Sequence, residues 1–153
     1  MNYSWNWGVL LQPTGVGNEV YWQWLLTGFK WLLVIGGSGW LIALIIGTIL
    51  GIMRTLPNKT ARAIGTAYVS FFRNIPLLIQ LFFWFYVAPT WLTPALQKWW
   101  FQELDPNTSA VISASIGLGL FTAARIVEQV RTGIESCLLY TSPSPRDRAR
   151  SRM

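Results

Sequence analysis

The residues best equipped for chemistry lie beside long uncharged runs. Arg125, Glu128 and Arg131 recur at intervals of three, so on one continuing helix they share a ridge on which Glu128 can neutralise either cation. Two readings fit that ridge. It is an ion-pair ladder of little individual worth, or Arg125 is a contact for an anionic solute, because a guanidinium presents a planar fork matched to a carboxylate. Earlier in the chain Arg73 is followed by Asn74, Ile75 and Pro76, and then by Gln80. Proline removes a backbone donor and restricts the residue before it, which predicts a kink or break at this point. Either Arg73 and Gln80 face a polar pathway, or Arg73 extends to the head groups and Gln80 makes an ordinary interhelical hydrogen bond.

Other chemistries are excluded by composition. The chain has no histidine and a single cysteine, Cys137, so imidazole metal sites, Ser-His-Asp machinery and an internal disulfide cannot be built. There is no HExxH, no CxxC and no Walker-type phosphate loop. No catalytic residue, metal or cofactor is therefore expected on this chain.

The elements that must position the charged groups are apolar and long. Of 153 residues 52% are hydrophobic and only 12% charged, about half the charged share of a soluble domain. Between Lys30 and Arg54 lie 23 uncharged residues, between Arg73 and Lys98 another 24, and between Asp105 and Arg125 a further 19. A helix of about 20 apolar residues crosses the hydrocarbon core. This predicts an all-α polytopic membrane protein with spans at about 31–53, 75–96 and 107–125, after an N-terminal segment 1–29. The alternative, buried core helices of a soluble protein, leaves too little polar surface. Gly47 and Gly51 form a Gly-x-x-x-Gly pair that either admits another helix closely or reflects the general abundance of glycine in membrane helices. The third run is rich in Ser, Ala and Gly and is expected to be surrounded by other helices.

Arg54, Lys59, Arg62 and Arg73 border or occupy the first connection with no acid among them, which predicts that this connection is cytoplasmic and the N-terminus outside. Tryptophans 22, 24 and 31, and again 91, 99 and 100, then fall at the outer interface. From Asn58 to Phe72, with Asn58 or Thr60 as cap, the pattern gives a helix with Ala61, Ile64, Ala67, Tyr68 and Phe71 on one face. It either lies along the inner membrane surface or forms the inner end of a long second helix.

From Cys137 the composition changes to CLLYTSPSPRDRARSRM, and half of the net charge of +6 lies in these last 17 residues. A basic lipid-binding tail and a spliced-in linker are alternatives, but Cys137 to Asp147 reads as the translation of a transposase-derived sequencing adapter. Residues 137–153 are therefore expected to be an artefact without helical periodicity. A nucleic-acid-binding role would rest on this tail and falls with it.

Two segments, YVSFFRNIPLLIQLFFWF (Tyr68 to Phe85) and GLFTAARIVEQVRTGIES (Gly119 to Ser136), resemble the strongest segments of the bacterial polar amino-acid ABC importer permeases, the histidine, glutamate, glutamine and arginine class. SWNWGVLLQP, GIMRTLPN and ELDPN make the resemblance closest to the glutamate/aspartate import branch, and it covers residues 1–136. The resemblance implies a type I importer permease, multi-pass in the bacterial inner membrane with a periplasmic N-terminus. It also implies as partners a second permease subunit, a cytoplasmic ABC ATPase dimer that holds the ATP, a periplasmic solute-binding protein, an amino-acid substrate and membrane lipid. In that family a tyrosine commonly stands where this chain has Arg125, followed by the counterparts of Glu128 and Arg131. An arginine there resembles the acidic-substrate branch. The family's ATPase-coupling loop lies beyond residue 136, so the chain is expected to be truncated before that loop and to lack ATP-driven transport by itself. A passive channel or small structural membrane subunit is the alternative.

Overall fold

The computed structural model describes residues 6–15 and 17–141, the last four by backbone alone. It is all-α, with no strand among the described residues. A 3₁₀ turn, Trp7–Leu11, and a single antiparallel bridge between Pro13 and Val20 lead into helix α1, Tyr21–Thr55. At 35 residues α1 is about 52 Å long, more than the hydrocarbon thickness. It holds the whole first expected span and starts well before it. Pro57 follows its end, and Asn58 opens α2, Lys59–Asn74. The Asn58 side chain accepts from the amides of Thr60 and Ala61, at 2.9 and 3.4 Å. Asn58, not Thr60, is the cap.

Pro76 breaks the chain as its chemistry demands. Helix α3, Leu77–Phe82, continues through a π-helical turn (Phe83–Val87) and a 3₁₀ turn to Trp91, and this segment is bent by 101° from α2. The reading of α2 as the inner end of one long helix is thereby overturned. The second expected span, 75–96, corresponds to the apolar segment Leu77–Trp91. Beyond it Leu92 and Thr93 leave the helix before α4, Pro94–Lys98, and a π turn, Trp99–Glu103. Helix α5, Pro106–Thr141, begins with proline in its first turn after Asp105. The Asp105 carboxylate accepts from the Asn107 and Thr108 amides at 3.0 and 3.1 Å.

Among the described residues two helices, α1 and α5, are long and apolar enough to cross a membrane, and α2 with the α3 segment makes a third crossing if the bent pair is one span. α5 encloses a larger share of its apolar stretch than α1, as its small residues predict. It also runs beyond the expected span 107–125. The helix continues through residues 137–141, against the expectation that no helical pattern survives past Ser136, because the first residue unable to extend it is Pro143. The rest of the expected artefact, 142–153, lies outside the described residues.

The core is the seam between α1 and α5. Gly39, Ala43, Gly47 and Gly51 repeat every four residues and are all buried, making one stripe along α1. A Cβ built on Gly47 would lie 2.6 Å from Cβ of Ile126, and one on Gly51 2.7 Å from Cβ of Val130. From the other helix, a Cβ on Gly119 would lie 2.7 Å from Cγ2 of Ile42. The glycines are thus where the backbones close in, and the Gly47/Gly51 pair is more than background composition. Ser38 Oγ donates to Ser115 Oγ at 2.8 Å across the same seam. Rising numbers on α1 meet rising numbers on α5 (38 with 115, 47 with 126, 51 with 130), so the two helices run parallel. Two parallel spans require an odd number of crossings between them, which the bent α2–α3 pair would supply as one broken span.

Helix α2 leans on both long helices. Gly65 and Val69 are buried, and Tyr68 Oη donates to the Leu120 carbonyl at 2.7 Å. Ile64, Ala67 and Phe71, expected together on one face, are exposed. The inward face is rotated toward Gly65, whose lack of a side chain hides it from any count of apolar residues but allows close approach. A Cβ there would lie 2.5 Å from Cγ of Arg54.

Candidate functional site

Where α2 ends against the C-terminal half of α5, Arg73, Phe121, Arg125 and Glu128 line an open cleft of about 510 Å³. That volume is within the range of small-molecule sites. Arg73 reaches it because the break at Pro76 stops α2 beside α5. Arg125 and Glu128 reach it from one face of α5, with Phe121 one turn before Arg125. The guanidinium of Arg125 lies over the Phe121 ring, 5.0 Å from its centroid. It is exposed and makes no ion pair among the described residues.

Glu128 does not pair along its own helix. Its Oε1 accepts from Nη1 of Arg54, on α1, at 2.7 Å, and lies 4.0 Å from Nη1 of Arg73. Arg131 turns instead to Glu135 at 2.8 Å. The ladder of Arg125, Glu128 and Arg131 is therefore not formed: a glutamate beside a close helix crossing takes the nearer cation on the neighbouring helix. Arg54 is 8% exposed and Glu128 30%, so this pair closes the Arg54 end of the α1–α5 seam. Sequence reasoning placed Arg54 only among the basic residues bordering the loop. The available signal was the α1 stripe, since Arg54 follows Gly51 by three residues on the same side.

Gln80 is not in the cleft. Its Nε2 donates to the carbonyls of Phe72 and Ile75 at 3.0 and 2.9 Å, the acceptors released where Pro76 interrupts the helix. The Phe72 bond joins α3 to α2, the interhelical hydrogen bond that one of the two readings expects, and it clasps the break; Gln80 also lines a separate, apolar cavity of about 120 Å³. Of the expected pathway residues, the structure brings together Arg73, Arg125 and Glu128 and leaves Gln80 apart. Among the described residues no group of three His, Cys, Asp or Glu side chains stands where it could hold a metal.

The cleft holds two guanidinium groups, Arg73 and Arg125, and one carboxylate whose charge is already met by the buried Arg54. Guanidinium forks of this kind match a carboxylate in shape and charge. The chain is 43% identical over 136 residues to the glutamate/aspartate import permease protein GltJ of Escherichia coli K12, covering 89% of this chain and 55% of that protein. This chain is a homologue of the amino-acid ABC permeases. Such a permease homologue is also the glutamate/aspartate import permease protein GltK of Escherichia coli O6:H1, 33% identical over 73% of this chain and 48% of its own length. The probable glutamine ABC transporter permease protein GlnM of Bacillus subtilis is 33% identical over 60% of this chain and 37% of its own. The chain thus spans about half the length of GltJ and GltK. No family model matches it, and no solved structure does.

Proposed function

We propose that the chain is part of a permease subunit of an ABC importer that carries acidic amino acids, glutamate and aspartate, across the bacterial inner membrane. The observation that carries this reading is the 43% identity to a glutamate/aspartate import permease over 136 residues. The cleft supplies a physical reason. An acidic amino acid carries two carboxylates and one ammonium, and Arg73, Arg125 and Glu128 present two guanidinium groups and one carboxylate around a space of about 510 Å³. Each substrate carboxylate has a fork to meet. The N-terminus is periplasmic and the Arg54–Arg73 connection cytoplasmic, in keeping with its excess of basic residues. Partners are a second permease subunit, a periplasmic solute-binding protein and a cytoplasmic ATPase dimer. ATP hydrolysis belongs to that ATPase, and the permease contributes a solute path whose access alternates as the helices move. No cofactor sits on this chain.

The test is uptake of labelled glutamate by the intact complex. Uptake should require the binding protein and ATP hydrolysis, and Arg125→Ala should reduce it by about tenfold or more while the complex still assembles, since losing one charged contact is worth about 1.5–3 kcal/mol. Undiminished uptake by that variant would remove Arg125 from the path. Uptake without ATPase or binding protein would favour a passive channel.

A further inference from the structure

A second polar cleft, of about 220 Å³, lies where α1, α2 and α5 meet, lined by Arg54, Thr55, Arg62, Thr66, Arg131 and Glu135. Each of the three helices contributes one arginine. Two of these have carboxylate partners, Arg54 on Glu128 and Arg131 on Glu135, both at about 2.7–2.8 Å. Arg62 has none among the described residues, and its one contact is a long hydrogen bond of 3.4 Å from Nη2 to the Leu56 carbonyl. Arg54 is 8% exposed, and its Nε is buried without a hydrogen-bond partner among the described residues. A buried guanidinium donor left unpaired costs free energy. Three converging guanidinium groups against the one carboxylate of Glu135 match an anion with several acceptor oxygens better than a planar carboxylate, while the Thr55 and Thr66 hydroxyls donate to the Ile52 and Arg62 carbonyls at 2.8 Å. The cleft lies at the ends of the α1 and α5 apolar stretches, where basic pockets between membrane helices meet phosphate groups.

We propose that this cleft binds a phosphate group, with an anionic phospholipid head group and free phosphate as the two sources to be told apart. The site is separate from the Arg73–Arg125 cleft and does not depend on the importer reading, because the experiment involves neither ATPase nor substrate. The full chain in detergent micelles is titrated with phosphatidylglycerol, with phosphatidylcholine as the neutral counterpart, and separately with inorganic phosphate, with binding read by native mass spectrometry. Saturable retention of one phosphatidylglycerol in preference to phosphatidylcholine, weakened about fivefold by Arg62→Gln, supports the lipid source. Binding of inorganic phosphate with the same sensitivity and no lipid retention supports the free anion. Lys59→Gln removes an equal charge from α2 outside the cleft and should leave binding unchanged. If Arg62→Gln loses helicity, Arg62→Lys takes its place, and loss of the fork should still weaken binding. The proposal is overturned if neither probe binds, if the Arg62 variant that folds binds as the wild type does, or if Lys59→Gln weakens binding as much as that Arg62 variant.

Discussion

The close approach of α1 and α5 can be measured one methyl group at a time. Replacing Gly47 by Ala puts a Cβ 2.6 Å from Cβ of Ile126 and 3.1 Å from the Ala123 carbonyl oxygen. At Gly51 the distances are 2.7 Å to Cβ of Val130 and 3.2 Å to the Val127 oxygen. Carbon pairs rest at about 3.5–4.0 Å, so each substitution forces the helices apart by about 1 Å. The neighbours are backbone and β-carbon atoms, which cannot swing aside as a chain end can. Overpacking of this kind costs about 1–3 kcal/mol, against a gain of up to about 1 kcal/mol from replacing a helical glycine. Gly37→Ala is the control: it lies on the same helix, and a Cβ there meets nothing within 4 Å. It keeps the gain without the clash, so the difference between the variants is the packing cost itself. The assay is reversible unfolding of the full chain in mixed detergent micelles, followed by helical circular dichroism. Gly47→Ala and Gly51→Ala should each be less stable than Gly37→Ala by about 1–3 kcal/mol, and the double variant should cost less than the sum, because one separation relieves both contacts. Equal stability of all three single variants would refute the close seam.

Two further outcomes follow from buried polar groups. Because Arg54 is the more deeply buried member of its pair, at 8% against 30% exposure, Glu128→Ala should cost about 3–5 kcal/mol and Arg54→Ala less, with the double variant below the sum. Unfolding titrations of the three variants read this order, and a costlier Arg54→Ala would reverse the assignment. Gln80→Leu strands the carbonyls of Phe72 and Ile75 and should lower stability by about 1–3 kcal/mol. Cleavage near Asn74–Pro76 under limited proteolysis should accelerate with it, whereas unchanged proteolysis would mean that the break holds without its clasp.

What could be read from the residues alone follows from what each signal depends on. The spans are legible because a run such as residues 31–53 carries no charge, and lipid admits few other arrangements. The break at Pro76 is legible because the missing donor is a property of the residue itself. The pairing of Arg54 with Glu128 is not, since the partners are 74 positions apart and meet only once the register of the Gly39–Gly51 stripe on α5 is known. That Gln80 bonds between helices is legible, but its acceptors are not, because they are backbone carbonyls, which no side-chain pattern reveals. The packed face of α2 is not legible because its closest contact is through Gly65, which carries no hydrophobicity to count. Helix α5 outran its expected end because a change of composition was given more weight than the absence of a helix breaker before Pro143.

The arrangement of the chain across the membrane is tested most directly by labelling single cysteines in intact cells, in a background where Cys137 is replaced by serine. An impermeant maleimide should label Thr93→Cys, in the connection after the α3 segment, and should leave Lys59→Cys unlabelled until the cells are opened. Labelling of Lys59→Cys from outside would put the basic connection on the wrong face and contradict the three-crossing importer arrangement.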